Sequence, residues 1–140
     1  MSTDAKQTEL VIQQHLRAFL EDQGVDAILS DYHEDAVFLT PEAVYRGKRA
    51  IRAFFVGFLA NLPAGARDDF ELRRIAIDDD LGYIVWDVKG SVSLGTDTFI
   101  VRHGRIAQQT FAMQLARLRV FDPGFCHFGA ILAYGDSVSI

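Results

Sequence analysis

The chain begins with a pattern typical of an amphipathic helix. Between Asp4 and Asp22, apolar residues recur every three or four positions and polar residues lie between them. The apolar positions are Ile12, Leu16, Phe19 and Leu20. Because His15 falls four residues before Phe19, we expect its side chain to lie on or beside the apolar face of this helix.

Two further helices and a pair of short strands are predicted next. A short helix starts near Asp26 and places Ile28 and Tyr32 on one face. Residues 36–46 contain two apolar runs around a proline, which indicates two short strands joined by a turn. A third helix opens at Gly47 and carries a broad apolar stripe. The stripe consists of Ile51, Phe54, Phe55, Phe58, Leu59 and Leu62.

The remainder of the chain predicts four strands, at residues 70–77, 83–88, 96–102 and 105–118. Helices followed by a long antiparallel meander are typical of an α+β domain. We therefore predict a cone-like curved antiparallel sheet wrapped around an N-terminal set of three helices.

The hairpin between the last two strands decides which residues face inward. Arg102–Gly104 is expected to form a three-residue loop, which puts Asp97 opposite Gln109. A two-residue loop would turn the last strand over and replace Gln109 by Thr110. In the three-residue register, one sheet face carries Asp97, Phe99, Gln109, Phe111 and Met113, and a tight turn at Ser93–Leu94 adds Trp86 and Val88.

The last residues of the chain form a separate segment in this interpretation. We place a domain at residues 1–118 and a C-terminal extension at 119–140. The extension contains several aromatic residues, which makes it too apolar for a disordered end. It is expected to pack over the mouth of a pocket, to add an edge strand or to contact a partner subunit, and the sequence does not select among these.

Composition narrows the class of protein. The 140 residues are 49% hydrophobic and carry a formal charge of −5, which fits one globular domain and argues against nucleic-acid binding. No run of 18 apolar residues is present and the N-terminus is polar, so we expect no membrane contact and a cytoplasmic location. Cys126 is the one cysteine, and it excludes an internal disulfide. We expect no metal and no cofactor.

Three stretches resemble the SnoaL-like, ketosteroid isomerase-like branch of the nuclear transport factor 2-like superfamily. They are Tyr32–Leu39 (YHEDAVFL), Tyr45–Phe55 (YRGKRAIRAFF) and Gly95–Ile106 (GTDTFIVRHGRI), and the match covers about residues 8–116. The resemblance implies a curved sheet around a helix with an apolar cavity that opens at one end. It also implies a homodimer.

Ketosteroid isomerases use a carboxylate base together with a tyrosine hydroxyl and a protonated aspartic acid that bind the substrate oxygen. By resemblance, the acid position matches Asp97 and the tyrosine position matches His15. The base position falls on Thr40, just before Pro41. Since a threonine hydroxyl has no suitable pKa for proton abstraction, the chain departs from the ketosteroid isomerase pattern at this position.

The residues themselves also indicate Asp97 and His15 as catalytic candidates. Burial on an apolar face would raise the pKa of Asp97 and keep it protonated as a donor. An ionised Asp97 would instead orient His15 as the base. The alternatives are a carboxylate satisfied by backbone groups and a histidine at the margin of the core.

A set of aromatic, amide and sulfur-containing side chains is predicted to line the pocket. The set consists of Tyr32, Thr40, Phe54, Phe58, Trp86, Gln109 and Met113. Ordinary core packing is the alternative for these residues. We therefore expect a cofactor-independent isomerase, lyase or cyclase that acts on a small apolar carbonyl compound. A non-catalytic ligand-binding domain and a dimerisation module are the competing hypotheses.

Overall fold

The protein is described here by a computed structural model that covers residues 3–116. This part of the chain contains four helices and six strands in the order α1 α2 β1 β2 α3 α4 β3 β4 β5 β6. The helices are α1 (Thr3–Leu20), α2 (Val25–Leu29), α3 (Lys48–Ala60) and α4 (Ala66–Asp69). The strands are β1 (Tyr32–Leu39), β2 (Val44–Arg46), β3 (Phe70–Asp78), β4 (Leu81–Val88), β5 (Val92–Arg102) and β6 (Arg105–Leu115).

The six strands form one curved, open sheet in the order β2-β1-β6-β5-β4-β3. The α+β class and the cone-like architecture are therefore confirmed. One feature differs from the expected antiparallel sheet, because β1 pairs with β6 in parallel while the other neighbouring strands are antiparallel. A parallel pair requires a long connection, and here α3, α4 and the β3–β5 meander supply it.

Helices α1 and α3 cover the inner face of the sheet. The predicted apolar stripe of α3 is buried at Ile51, Phe54, Phe55 and Phe58. The short helix α4 after Pro63 was not predicted, since four residues are too few to show a hydrophobic period. Together the helices and the sheet enclose one hydrophobic core.

Strand β1 begins earlier than the hydrophobic pattern indicated. Tyr32 was expected on the second helix, but it is the first residue of β1 and pairs with Ile106 of β6. His33, which follows it, is also part of this strand. Pairing with a distant strand therefore overrides the local helical pattern around Ile28.

The β5–β6 hairpin differs from the prediction in the length of its loop and in a β-bulge. The two differences together leave Gln109 on the predicted face of the sheet. Its loop has two residues, His103 and Gly104, because Arg102 pairs with Arg105. Both have positive φ, 54° and 75°, as a type I′ turn requires. The register then shifts by one residue at a β-bulge beside Ala107. The predicted three-residue loop is wrong, and so is the predicted pairing of Asp97 with Gln109, because Asp97 pairs with Phe111. The bulge nevertheless turns Gln109 back toward the inner face.

The β4–β5 hairpin also differs from the prediction in its turn. Val88 pairs with Val92, so the turn lies at residues 89–91 and not at Ser93–Leu94. β5 accordingly starts four residues before the predicted Thr96. Trp86 nevertheless reaches the inner face as expected, where it lies opposite Gly95.

Two predictions concern parts of the chain that this structure does not test. The C-terminal extension 119–140, including Cys126, lies outside the described residues, and so does the domain boundary at 118.

Within residues 3–116, no helix is both long and apolar enough to cross a membrane.

Candidate active site

A cavity of about 80 Å³ lies between the helices and the inner face of the sheet. Its walls are almost entirely aromatic and aliphatic side chains, contributed by all four helices and by strands β1 and β3–β6. Partly exposed residues mark the side on which it opens: Leu16, Phe19, Leu62, Phe70 and Ser91. The polar side chains at its deeper end are His15, Asp97 and Gln109.

Asp97 is held in the centre of the sheet. It is 6% exposed and lies on β5 between Ile84 of β4 and Phe111 of β6. The indole Nε1 of Trp86 donates to Oδ1 over 2.7 Å, and the amide Nε2 of Gln109 donates to Oδ2 over 2.8 Å. Each carboxylate oxygen therefore has one donor, which leaves further acceptor capacity for a ligand.

Burial raises the pKa of Asp97 from 3.8 to about 6. The hydrogen bonds from Trp86 and Gln109, and the charge of His15, act in the opposite direction but do not outweigh the loss of hydration. A carboxyl group with this pKa is ionised near neutral pH yet more basic than an ordinary aspartate. It is therefore suited to accept a proton from a weakly acidic ligand.

His15 lies on α1 and is 7% exposed. Its Nδ1 is 3.0 Å from Oδ2 of Asp31, and its Nε2 is 3.3 Å from the hydroxyl oxygen of Tyr32. The rings of Phe55 and Phe99 pack against the imidazole edge to face. Hydrogen bonds and packing together fix the orientation of the ring.

Tyr32 and Gln109 connect the two titratable groups. The Tyr32 hydroxyl donates to Oε1 of Gln109 over 2.5 Å, and the same glutamine donates to Asp97. Complete burial, followed by the charges of Asp97 and Asp31, holds the pKa of Tyr32 well above its usual value of 10. A continuous hydrogen-bonded chain thus runs from Asp97 to His15 through neutral side chains.

The structure brings several of the predicted site residues together and separates others. His15, Asp97, Phe58, Trp86 and Gln109 all line the cavity. The remaining predicted residues are not among the lining residues within 3–116; these are Tyr32, Thr40, Phe54 and Met113.

Each of these four side chains has another environment. Tyr32 is fully buried beside His15, where it takes part in the hydrogen-bonded chain. Phe54 packs in the aromatic core, 4.9 Å from Phe38 between ring centroids. Met113 is partly buried against the same core.

Thr40 is a turn residue. Its hydroxyl accepts the backbone N–H groups of Glu42 and Ala43, 3.3 and 3.1 Å away, and so stabilises the β1–β2 turn. The residue that the resemblance matched to the base position of ketosteroid isomerases therefore has a structural role in this turn.

Asp31 is the site residue that sequence reasoning missed. It is 4% exposed, and Gln14 Nε2 donates to its other oxygen over 2.9 Å. Its position directly before Tyr32 gives no periodic signal, because it belongs to the short connection between α2 and β1. Only the packing of α1 against the α2–β1 connection shows that this carboxylate meets His15.

No group of three or more His, Cys, Asp or Glu side chains within residues 3–116 has an arrangement that could hold a metal ion. In particular, His33 uses its Nε2 at the surface, 2.7 Å from the carbonyl oxygen of Arg102.

Similar solved structures share this architecture. An NTF-2-like protein of unknown function from Burkholderia xenovorans LB400 has 19% identity and a TM-score of 0.67, with 85% of this chain and 91% of that chain covered. TerC, co-crystallized with polyporic acid, has 17% identity and a TM-score of 0.59 over 77% of this chain and 92% of its own.

A designed protein shows that this likeness concerns the fold alone. A de novo designed protein with a curved β-sheet has 17% identity and a TM-score of 0.67, and the match covers 96% of this chain and 99% of that one.

No curated protein matches the chain. The model of the SnoaL-like domain matches residues 12–109, which is most of the described fold, and the chain therefore belongs to the SnoaL-like domain family.

Proposed function

We propose that the cavity binds a small, largely apolar carbonyl compound and that Asp97 and His15 transfer protons to and from it. One observation carries this proposal: a buried carboxyl group and a buried imidazole line the same apolar cavity and belong to the same hydrogen-bonded chain. Burying two titratable groups in a core costs stability, so such a pair is more often found where function requires it.

The apolar walls and the small volume of the cavity support a small, largely apolar compound as the ligand. A volume of about 80 Å³ holds on the order of six water-sized groups, which suits a small ring or a short chain. Parts of a larger ligand would extend past Phe19 and Phe70 toward the open side.

The proposed chemistry is proton transfer next to a carbonyl group. Ionised Asp97 would remove a proton from the carbon beside the carbonyl, and a proton from His15 would pass to the carbonyl oxygen, so that an enol forms. Reversal at the same carbon exchanges the proton, and reversal at another carbon isomerises the compound. The apolar walls would strengthen both electrostatic interactions by excluding water.

A second candidate function is binding without turnover. The turn role of Thr40 supports it, because the family's base position then holds no group that could abstract a proton. The two candidates differ in whether a bound ketone exchanges its α-protons with solvent.

The test measures binding and exchange on the same compounds. Saturable changes in the fluorescence of Trp86, the one tryptophan, report binding of small cyclic and aromatic ketones. Loss of their α-proton NMR signals in D₂O reports proton transfer. We expect both, and we expect Asp97→Asn and His15→Gln each to slow exchange by about 100-fold or more.

The matched control is Asp35→Asn, since Asp35 is an exposed carboxylate of β1, and it should leave exchange unchanged. Saturable binding without exchange would overturn the catalytic proposal and establish the binding function. Absence of binding across the panel would contradict both.

A further inference from the structure

We propose that Gln109 and Tyr32 form a reversible hydrogen-bond relay that ties the protonation of Asp97 to that of His15, so that the two groups share one transferable proton. The inference rests on the proposed function, because it explains how one site could act as base and acid in the same turnover. Gln109 and Tyr32 are positioning residues in this arrangement, and they act through their neighbours.

The donor and the acceptor of each hydrogen bond between Asp97 and His15 can be assigned in turn, starting at Asp97. The indole of Trp86 can only donate, and it donates to Oδ1. Gln109 donates its amide N–H to Oδ2, so its Oε1 accepts the single hydroxyl proton of Tyr32. The Tyr32 oxygen then has no proton left for His15. The contact of 3.3 Å between them is a hydrogen bond only when His15 Nε2 donates.

The other nitrogen of His15 is also a donor. It faces Oδ2 of Asp31 over 3.0 Å, and the other oxygen of Asp31 accepts from Gln14. An ionised carboxylate only accepts, so Nδ1 must carry a proton. With Asp97 ionised, the complete set of hydrogen bonds therefore requires a doubly protonated, cationic His15 between two carboxylates.

The same side chains can form a second complete set of hydrogen bonds. In this second arrangement, every hydrogen bond between Asp97 and His15 runs in the opposite direction. A protonated Asp97 donates its O–H to Oε1 of Gln109 once that amide has turned over. The amide N–H₂ then donates to the Tyr32 oxygen, and the Tyr32 hydroxyl donates to Nε2 of His15. Nε2 is now unprotonated and His15 is neutral, while Nδ1 still donates to Asp31. One proton has moved and the net charge of the three titratable groups is unchanged.

Mixed states leave a buried bond unmade. With Nε2 and Asp97 both unprotonated, one pair in the chain presents two acceptors to each other. With both Asp97 and His15 protonated, either one pair presents two donors, or the Asp97 proton lies on Oδ1 and has no acceptor in the chain. Asp97, Gln109, Tyr32 and His15 are each at most 7% exposed, so the access of water to such a pair is restricted. The relay therefore favours the two arrangements in which exactly one of the two groups holds the proton.

The relay matches the proposed proton transfer. When Asp97 gains a proton from the ligand carbon and the ligand oxygen gains the Nε2 proton of His15, the site passes from the first arrangement to the second. The reverse transfer restores the first arrangement. The site then has a complete set of hydrogen bonds both before and after the proton transfer. Rotation of the Gln109 side-chain amide converts one arrangement into the other.

The test is ¹⁵N NMR of the histidine rings in the full chain without a ligand, near neutral pH. The shifts of both ring nitrogens separate an imidazolium from a neutral imidazole, and His15→Gln identifies the His15 signals among the four histidines. We expect an imidazolium in the unaltered protein. In Asp97→Asn, the amide N–H₂ donates as the protonated acid would, so we expect a neutral ring with its proton on Nδ1.

Gln109→Met separates the relay from the direct charge effect of Asp97. It keeps the carboxylate but removes the amide, so the Tyr32 hydroxyl is released to donate to Nε2. We expect loss of the imidazolium signal, whereas a through-space charge effect alone would retain it. The matched control is Gln108→Met, because Gln108 is the exposed neighbour on β6 and lies outside the relay. It should leave the His15 signals unchanged.

Three outcomes would each overturn the relay: a neutral His15 in the unaltered protein, an imidazolium that persists in Asp97→Asn, or an imidazolium that persists in Gln109→Met. If Gln109→Met does not fold, Tyr32→Phe removes the acceptor for Nε2–H with little change in shape and should also abolish the imidazolium. Since no ligand is needed, failure of the exchange assay leaves this measurement intact, and the reverse also holds.

Discussion

Asp97 shows how desolvation and hydrogen bonding compete at a single residue. Two good donors, from Trp86 and Gln109, stabilise its carboxylate, yet the pKa still rises because the group is surrounded by the core. The hydrogen bonds reduce the free-energy cost of burying the carboxylate, and the burial makes it a stronger base than a surface aspartate. Both effects are needed for the role proposed here.

The raised pKa predicts how stability depends on pH. The rise from 3.8 to about 6 corresponds to at most about 3 kcal/mol. Because the folded chain binds this proton more tightly than the unfolded chain, the contribution is fully present below pH 3.8 and is lost as the pH rises through about 6.

Urea denaturation of the unaltered protein and Asp97→Asn over this pH range measures the effect. The free energy of unfolding of the unaltered protein should fall relative to that of the variant as the pH rises. Asp35→Asn, which alters an exposed carboxylate, should show no such relative change near pH 6. Parallel curves for Asp97→Asn and the unaltered protein would contradict the burial argument.

The β4–β5 hairpin shows how two strands place the side chains of the site. Trp86 lies across Gly95 of the neighbouring strand, and a Cβ atom at Gly95 would fall 2.2 Å from Cε2 of the indole. A side chain of any kind at this position would therefore displace the ring. The glycine allows Trp86 to lie flat against β5 and to reach Asp97 with its N–H.

Gly95→Ala is accordingly expected to destabilise the protein by about 2 kcal/mol or more, because the indole must move away from its hydrogen bond. The matched control is Gly57→Ala in α3, where an added Cβ meets no atom within 4 Å. It should stabilise the protein by about 0.5–1 kcal/mol. Chemical denaturation followed by Trp86 fluorescence measures both, and equal effects of the two variants would refute the close-approach explanation.

At the scale of the whole molecule, the sheet has an outer face that the helices leave uncovered. Tyr83, Thr98, Thr110 and Leu39 form one row across four adjacent strands. None of the four is charged, and Tyr83 and Leu39 are 38% and 40% exposed. We propose that two copies of the chain pair through this face, in line with the homodimer that the resemblance implies.

The dimer proposal predicts that Thr110→Lys yields a monomer, because a buried lysine would lack a partner charge in the interface. Light scattering after size exclusion should give about twice 15.6 kDa for the unaltered chain and the single mass for the variant. Gln13→Lys, at an exposed position of α1 and not on the sheet, should remain dimeric. A monomeric unaltered protein, or a dimeric Thr110→Lys, would contradict the proposal.

Much of this architecture follows from the sequence by itself. The helical period around His15, the apolar stripe of α3 and the alternating strands after Phe70 each reflect burial of one face of a regular element, which is a local property. For the same reason Asp97 could be recognised as a polar residue on an inward-facing strand position. The order of these elements, with the resemblance, was sufficient to predict the cone-like α+β fold.

Only the tertiary structure decided how the site is assembled. Gln109 faces inward because a bulge beside Ala107 compensates for a shorter loop, and no hydrophobic period records such an insertion. The parallel pairing of β1 with β6 brings Tyr32 to Gln109 across 77 positions of sequence, and the packing of α1 brings His15 to Asp31. These contacts depend on long-range register and on which groups must satisfy one another once water is excluded, and both are properties of the folded chain as a whole.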